Sequence, residues 1–406
     1  MVRKGLLLLF AACAARAQTG MQMQMNLAGM YLMNQASGTS MNPLAGAMPM
    51  FMPRLGSWNL MLMGQGFLVD TQQTGPRGAD KLYSTNWFMG AAEHRIARGS
   101  FLFELMLSLE PATITGRRYP ELFQTGETAY GRPIVDAQHP HNLIMGLGFT
   151  YARPIADATL LQFYFAPVGD PALGPVAFPH RASASELPQA PLSHHWQDST
   201  HIADDVVTVA LKRDWFRAEA SGFHGAEPGE NRWIIQQGAI DSWSTRLSVS
   251  PGKEWMAQVS LGRIAHPEAL EPGDVVRATA SVHYSRPLKH GDAWSSSLIW
   301  GRNHDIFTRH DLNSYLAESV LPVRGGNFVT GRVELVDKDE LFPTGVPYRI
   351  AAYTGGLTHD LPRFARGVET GIGANASAYS VPSVIQRYYG AHPFGVNVLL
   401  RLRLKP

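Results

Sequence analysis

Polar and apolar residues alternate along most of this chain, position by position. The clearest example covers residues 276–285, where the even positions are small or apolar and the odd positions are polar. The even positions are Val276, Ala278, Ala280, Val282 and Tyr284, and the odd positions are Arg277, Thr279, Ser281, His283 and Ser285. Because alternate side chains of a β-strand point to opposite faces, this pattern predicts a strand with one apolar and one polar face.

The same alternation returns in about sixteen segments, and an even number of strands in this range is typical of transmembrane β-barrels. The predicted strands are 58–69, 83–94, 100–110, 143–153, 159–167, 202–212, 215–223, 239–249, 254–264, 276–286, 293–301, 312–320, 327–336, 348–359, 367–379 and 394–404. The pattern is weakest in 215–223 and 312–320, which leaves about fourteen strands as the alternative.

The connections between these segments alternate between long and short. The long ones include 70–82, 111–142, 168–201, 224–238 and 265–274, and the short ones include 96–99, 154–158, 213–214, 250–253 and 287–292. Outer-membrane barrels have short periplasmic turns and longer extracellular loops. The sequence therefore predicts an all-β fold, namely a single transmembrane, antiparallel, up-and-down β-barrel.

A sheet in hydrocarbon has to close on itself, so we expect the last strand to pair with the first. A charge on the lipid side costs roughly 2–4 kcal/mol near the centre of the bilayer, so charged residues within strands are expected to face the lumen. The lumen charges predicted in this way are Glu104, Arg277, Arg332, Glu334, Arg401 and Arg403.

The composition agrees with a membrane barrel. Charged residues make up 17 % of the 406 residues and the mean hydropathy is −0.11. No apolar run approaches the ~18 residues that a transmembrane helix requires. Apolar residues diluted by polar ones at every second position give such a composition. The net charge of +2 gives no support for nucleic-acid binding.

The first residues have the features of a secretory signal peptide. Two basic residues precede an apolar run, and a small-residue cleavage site ends at Ala17, so we expect a signal peptide over residues 1–17. A lipoprotein signal at Cys13 is the alternative. Cys13 is the only cysteine, so a chain cleaved after Ala17 has no thiol for disulfides, metal binding or catalysis. We expect export to the cell outer membrane.

Residues 18–56 lack the alternation and are rich in methionine. We expect them to form a mobile or loosely packed periplasmic arm, followed by the barrel over 57–406. Thioether sulfur selects Cu(I), so the arm is a candidate copper-collecting segment. The alternative is a low-complexity tail, or a plug that uses methionine to fill gaps. The candidate copper ligands are Met21, Met23, Met25, Met30 and Met33.

Histidines concentrate in two adjacent long connections. Imidazole suits zinc, copper and nickel, so these side chains are candidate metal ligands. The prolines between 171 and 191 also indicate an ordered loop that folds inward and narrows the lumen, and the two interpretations are compatible. The candidate ligands are His139, His141, His180, His194, His195 and His201.

A further polar cluster contains His310 and Ser314. A hydrolase needs a serine within hydrogen-bond reach of a histidine that a third group orients. These two residues are near only in sequence, and no Gly-x-Ser-x-Gly elbow occurs. We therefore predict that the protein is not an enzyme and has no catalytic residues, with a lipid hydrolase as the weakest alternative.

With these strands and loops, the chain from Trp58 to Leu404 resembles bacterial outer-membrane β-barrel proteins of the porin type. A methionine-rich arm ahead of a barrel also resembles the outer-membrane proteins of copper-resistance systems. The first resemblance implies a pore. The second implies copper sequestration or export, with the arm as the collector.

Together these features predict a pore or binding barrel for small polar solutes or metal ions. The expected partners are outer-membrane lipid and those solutes, and a homo-oligomer is left open. Copper is the one candidate cofactor. A barrel that handles copper or another soft metal is the first alternative function.

Overall fold

The computed structural model describes residues 25–46, 48–198, 203–270, 273–288, 292–363 and 365–406. Over these residues the chain forms a closed barrel of 16 antiparallel strands. The described residues contain nineteen strands, including three that are not part of this ring (β1, β5 and β6): β1 (Arg54–Leu55), β2 (Trp58–Gln73), β3 (Lys81–Ile96), β4 (Gly99–Leu107), β5 (Tyr119–Ala129), β6 (Arg132–Gln138), β7 (Ile144–Ala156), β8 (Thr159–Gly169), β9 (Ala203–Arg213), β10 (Phe216–His224), β11 (Ser242–Val249), β12 (Trp255–Ile264), β13 (Val275–Pro287), β14 (Ala293–Asp305), β15 (Asp311–Val323), β16 (Asn327–Lys338), β17 (Tyr348–Asp360), β18 (Val368–Ser380) and β19 (Phe394–Leu404).

The ring consists of β2–β4 and β7–β19, each strand paired with its neighbour in order. It closes where β19 pairs with β2, with Arg401 opposite Phe67. The predicted all-β barrel and its closing pair are therefore confirmed. The two segments with the weakest alternation are both real strands, β10 and β15.

The two faces of each strand differ as the alternation predicted. In β19, Arg401 and Arg403 are buried, whereas Val398, Leu400 and Leu402 are exposed on the outside. The same exposed belt of valine, leucine, isoleucine and aromatic residues runs around the ring. A closed sheet with an apolar outer belt is an outer-membrane barrel.

Helices are few and short. They are α1 (Leu27–Leu32), α2 (Glu110–Thr113), α3 (His194–Gln197) and α4 (Gln386–Tyr389). Among the described residues no helix has the length and apolar character needed to cross a bilayer.

The hairpin of β5 and β6 forms a separate sheet in the long connection between β4 and β7. The alternation pattern predicted only a loop over 111–142. The hairpin is irregular, because its register shifts twice and Phe123, Glu127 and Asp136 have positive φ. These bulges break the two-residue period, which is why no strand pattern is visible there.

Two segments that are not strands lie inside the ring. We call residues 25–46 the plug and residues 170–198 the inward loop. Ala28, Leu32 and Met33 of the plug are at most 3 % exposed. The plug is therefore packed in the lumen, which agrees with the alternative of a gap-filling methionine plug and not with the mobile or loosely packed periplasmic arm that was expected. The reason is that apolar side chains of α1 and its flanks find an apolar part of the inner wall.

Candidate functional site

The inward loop crosses the lumen and is buried along nearly its whole length. It leaves the wall after β8, makes 3₁₀ turns at Phe178–His180 and Ala182–Ala184, and then forms α3. Proline fixes φ and has no N–H, so a proline-rich segment leaves fewer backbone donors to satisfy inside the barrel. The loop occupies space that a barrel of about sixteen strands otherwise leaves to water.

Three buried charges fasten the middle of the loop to the wall. Arg181 Nε donates to Glu318 Oε1 at 2.6 Å, and Arg332 Nε donates to Glu318 Oε2 at 3.0 Å. Arg332 Nη1 also donates to the carbonyl of Gln189 at 3.1 Å, so both arginines hold the loop. The three charged side chains are at most 1 % exposed. Because an unpaired buried charge is costly, this geometry fixes the position of the loop.

A second charged cluster joins the loop to the closing strand. Arg401 Nη1 lies 2.5 Å from both carboxylate oxygens of Glu186, and Arg403 Nη1 lies 3.0 Å from Glu186 Oε1. Glu369 on the neighbouring strand β18 also accepts hydrogen bonds from both arginines, from Arg401 Nη2 at 3.0 Å and from Arg403. The carboxylate of Glu186 in the inward loop is thus bonded to two arginines of β19.

The remaining predicted lumen charges also lie on the inner face. Glu334 accepts from the backbone N–H and the hydroxyl of Ser193, at 3.1 and 2.8 Å. Arg277 Nη1 donates to the carbonyl of Asp198 at 2.7 Å. Glu104 is buried on the inner face of β4. Apart from Glu104, each charge predicted to face the lumen is bonded to the inward loop.

The plug packs against the inner wall near the short turns. The Asn26 side chain accepts from the Gly29 N–H at 2.7 Å, which caps α1, and donates to the carbonyl of Gly99 at 3.2 Å. Four strands further around the ring, Arg217 Nη1 on β10 donates to the Tyr31 hydroxyl at 3.2 Å. The plug therefore reaches from the start of β4 to β10.

Asn42 connects the two internal segments. Its Nδ2 donates to the carbonyl of His180 at 2.8 Å, and its Oδ1 accepts from the N–H of Ala182 at 3.2 Å. Because one side chain satisfies two backbone groups of the inward loop, displacement of either segment disturbs the other.

Methionines line the inner wall beside the plug. Met63 on β2 pairs with Met89 on β3, and Met89 pairs with Met106 on β4, so the three form a row across adjacent strands. Directly paired side chains on one face have Cβ atoms about 4.5–5.5 Å apart. His180 Nε2 lies 3.0 Å from Met106 Sδ, and its ring centroid is 4.3 Å from that of Trp87. We call Met63, Met89 and Met106 the methionine row.

The methionines predicted as copper ligands are placed differently from one another. Met33 is buried in the cluster that contains the methionine row, and Met25 packs against that cluster. Met30 is 47 % exposed. Met21 and Met23 lie outside the described residues. Four further methionines of the plug, the segment after it and the wall join the same cluster, namely Met41, Met50, Met61 and Met145.

Three of the predicted histidines meet at the end of the barrel that carries the long loops. One ligand atom from each of His139, His194 and His195 lies within 4.8 Å of the other two. Burial lowers the pKa of His139 to about 4 and lowers the pKa of His194 and His195 well below its ordinary value. The three rings are therefore neutral at pH 7, the form in which imidazole binds metal.

The other predicted histidines do not join this group. His141 Nδ1 lies 2.9 Å from Glu110 Oε2, and His180 lies beside Met106 as described above. His201 lies outside the described residues.

The residues considered for hydrolysis have separate partners. The Ser314 hydroxyl donates to the carbonyl of Gly301 at 3.3 Å and accepts from Gln197 at 3.2 Å. His310 Nδ1 lies 3.3 Å from Asp339 Oδ2. The serine faces the lumen and the histidine faces a loop carboxylate, so they do not make the hydrogen bond that a nucleophile and its base require.

The methionine row was not predicted from the sequence. A signal was present, because Met61 and Met63 share the parity of Asn59 and Gln65, which are buried polar residues of β2. Methionine is an apolar residue, so it does not by itself indicate the lumen face. The parity of the polar neighbours Asn59 and Gln65 would have assigned Met61 and Met63 to that face.

Comparison with known proteins gives a likeness of fold. No family model and no curated protein matches this chain. Similar solved structures are the anion-selective porin from Comamonas acidovorans, OmpF of Salmonella typhi in complex with daunomycin, and OprB of Pseudomonas putida at high pH. Their TM-scores are 0.50, 0.51 and 0.51, with 12 %, 9 % and 10 % sequence identity.

These alignments cover 86 % of this chain in each case, and 100 %, 100 % and 94 % of the three porins. The similarity therefore concerns the whole barrel. It agrees with the closed strand order in showing a closed antiparallel β-barrel fold.

Proposed function

We propose that this chain forms an outer-membrane barrel that passes small polar solutes or ions through a lumen restricted by the inward loop. The observation that carries the proposal is the set of buried ion pairs between the loop and the wall, above all Glu186 with Arg401 and Arg181 with Glu318. Charged groups that line a narrow passage select solutes by charge and size. A loop held in this way gives a fixed and narrow passage.

Conductance across a planar lipid bilayer tests this proposal. We expect the purified full-length barrel to give small unitary steps. The double variant Arg181→Ala/Glu186→Ala removes both charged anchors of the loop and is expected to give clearly larger steps. The matched control is Arg302→Gln, which removes an ion pair with Asp311 whose side chains are 43 % and 45 % exposed.

Two outcomes would contradict the proposal. One is a wild-type barrel that gives no steps in any electrolyte, together with a silent double variant. The other is a double variant whose unitary step equals that of the wild type, since the loop would then not restrict the passage. Circular dichroism of each variant checks that the β-structure is retained.

The methionine row supports a second candidate function, the binding of a soft metal ion. Lumen-facing residues of a barrel are expected to be polar, yet Met63, Met89 and Met106 are buried side by side with His180 at the end of the row. Thioethers with one imidazole form a ligand set that favours Cu(I) over harder ions. In this proposal the barrel binds Cu(I) at the row beside the plug.

Titration of Cu(I) under anaerobic, reducing conditions tests this candidate, with a chromophoric chelator as competitor. We expect one tight equivalent for the wild type and its loss in Met63→Leu/Met89→Leu/Met106→Leu, because leucine keeps the volume and removes the sulfur. Met256→Leu is the matched control, since Met256 is 6 % exposed and lies on β12. Equal binding by the triple variant would contradict the candidate.

A further inference from the structure

Three buried imidazoles meet at the end of the barrel that carries the long loops. The ring centroids of His194 and His195 are 4.0 Å apart, and His139 lies 5.8 Å from His195 and 6.4 Å from His194. We infer that His139, His194 and His195 form a binding site for one divalent ion of the Zn²⁺, Cu²⁺ and Ni²⁺ class. This inference stands whether or not the lumen conducts, and it uses none of the residues of the methionine row.

Two of these rings have a backbone carbonyl beside Nδ1. The Nδ1 atom of His139 lies 3.2 Å from the carbonyl of Pro140, and that of His194 lies 2.9 Å from the carbonyl of Pro191. The side-chain amide of Gln124 is farther from His194 Nδ1, at 3.2 Å. A carbonyl only accepts, so in the tautomer in which each Nδ1 donates to its carbonyl, each Nε2 keeps a lone pair. Histidine ligands of metals have this arrangement, in which the second nitrogen donates to a carbonyl or carboxylate.

A carboxylate lies beside His139. The Nε2 of His139 is 3.1 Å from Glu127 Oε1, and the other oxygen of Glu127 is paired with Arg232. A metal ion bound to His139 Nε2 would take the place of the contact with Glu127, whose negative charge beside the ion would favour binding.

His195 supplies the third ring. It is 7 % exposed, and its Nε2 is buried with no hydrogen-bond partner. A Cβ atom at Gly126, whose φ is +113°, would overlap the His195 ring, so glycine at that position makes room for the ring. A buried nitrogen without a partner requires an explanation, and a metal ion bound by this group of imidazoles provides one.

Two carboxylates adjoin the imidazoles. Glu268 Oε1 lies 3.8 Å from His195 Nδ1, and one oxygen each of Glu227 and Glu268 lies within 4.8 Å of a His195 nitrogen and of each other. They supply negative charge for a dication and an oxygen ligand to complete the site. Tetrahedral Zn²⁺ bonds nitrogen at about 2.0–2.1 Å, which sets the ligand atoms about 3.3 Å apart. Binding therefore requires the side chains to close in by rotation.

The site joins segments that are far apart in the sequence. His139 follows β6, His194 and His195 belong to α3 of the inward loop, and Glu268 belongs to the loop between β12 and β13. An ion bound here fastens the inward loop to two external loops. The ion would then hold the restriction of the lumen in place from the outer side.

Metal titration of the purified, untagged, full-length barrel tests the inference. ZnCl₂, CuCl₂ and NiCl₂ are added separately in competition with a chromophoric chelator. We expect one equivalent of tightly bound ion for the wild type and a loss of at least about 10-fold in affinity for His194→Gln and for His195→Gln. His392→Gln, at an exposed position, is the matched control and is expected to bind as the wild type does.

Electron paramagnetic resonance of the Cu²⁺ complex gives an independent reading, because imidazole nitrogens split the copper signal. Glu268→Gln provides a variant that leaves the three rings in place and is expected to weaken binding without removing the nitrogen splitting. The inference is overturned if the wild type binds none of the three ions. It is also overturned if the histidine variants, with intact β-structure by circular dichroism, bind as tightly as His392→Gln.

Discussion

The plug and the inward loop both fill the lumen, yet they are held in opposite ways. The plug has no ion pair to the wall among its described residues and rests mainly on apolar packing of α1 against the methionine-lined wall, with hydrogen bonds such as that of Gln35 with Gln162 at 3.0 Å and those that Tyr31 and Thr39 accept from Arg217. The inward loop rests on buried ion pairs in which each partner comes from a different part of the chain. The same barrel interior therefore accommodates two kinds of attachment.

The difference concerns how each attachment fails. The attachment of the plug weakens gradually when its apolar side chains are shortened, because each side chain contributes to stability in proportion to the apolar area it buries. Removal of one partner from a buried ion pair leaves the other charge without compensation, which costs several kcal/mol at once. The inward loop is thus the more sensitive to a single substitution.

The largest effect is expected for Glu318→Ala. This change leaves the buried guanidinium groups of Arg181 and Arg332 without their shared carboxylate. We expect the barrel to lose about 3–5 kcal/mol of stability, with the loss centred on the inward loop. Protease cleavage within 170–198 and the thermal unfolding midpoint in detergent measure it. The control is Asp311→Asn, which removes a solvent-exposed ion pair with Arg302 and is expected to leave both the cleavage and the unfolding midpoint as in the wild type.

An intermediate effect is expected for Gly301→Val. A Cβ atom at Gly301 on β14 would overlap the carbonyl oxygen of Trp196 in α3. We expect a cost of about 1–3 kcal/mol and cleavage of the inward loop while the plug stays protected. The control is Gly331→Val, where the added Cβ meets only the carbonyl of Thr354 at 4.0 Å. Equal protease resistance of both variants would show that the position of α3 does not depend on the close contact between Gly301 and the carbonyl of Trp196.

The smallest effect is expected for Asn26→Ala, which tests the plug. The substitution removes the cap of α1 and the bond to the Gly99 carbonyl. The expected cost is about 1 kcal/mol. Faster amide hydrogen exchange in Leu27–Leu32, with unchanged exchange at α3, would match this expectation. Equal acceleration in both segments would mean that the plug and the loop are held as one unit.

The barrel could be predicted from the sequence because its signal is local. Alternation in β10 and β15 was weak but present, and the closing pair of β2 with β19 followed from the need to satisfy every backbone group in lipid. Arg277, Arg401 and Arg403 could be assigned to the lumen because a charge on the lipid side is costly.

The interior could not be predicted in the same way, because it depends on contacts between distant residues. Nothing near Asn42 in the sequence indicates that its side chain bonds to the inward loop. The histidines were recognised as a group, but only the fold separates His139, His194 and His195 from His141. The position of the plug depends on the wall methionines, whose parity was informative only once the barrel was known.

The seam between β19 and β2 also constrains the order of assembly. Until the final segment of the chain is in place, β2 has an unpaired edge, and an open edge invites pairing with other chains. The plug precedes β2 in the sequence and is enclosed in the folded protein. Pairing of β19 with β2 therefore removes the open edge of β2 and completes the wall around the plug in the same step.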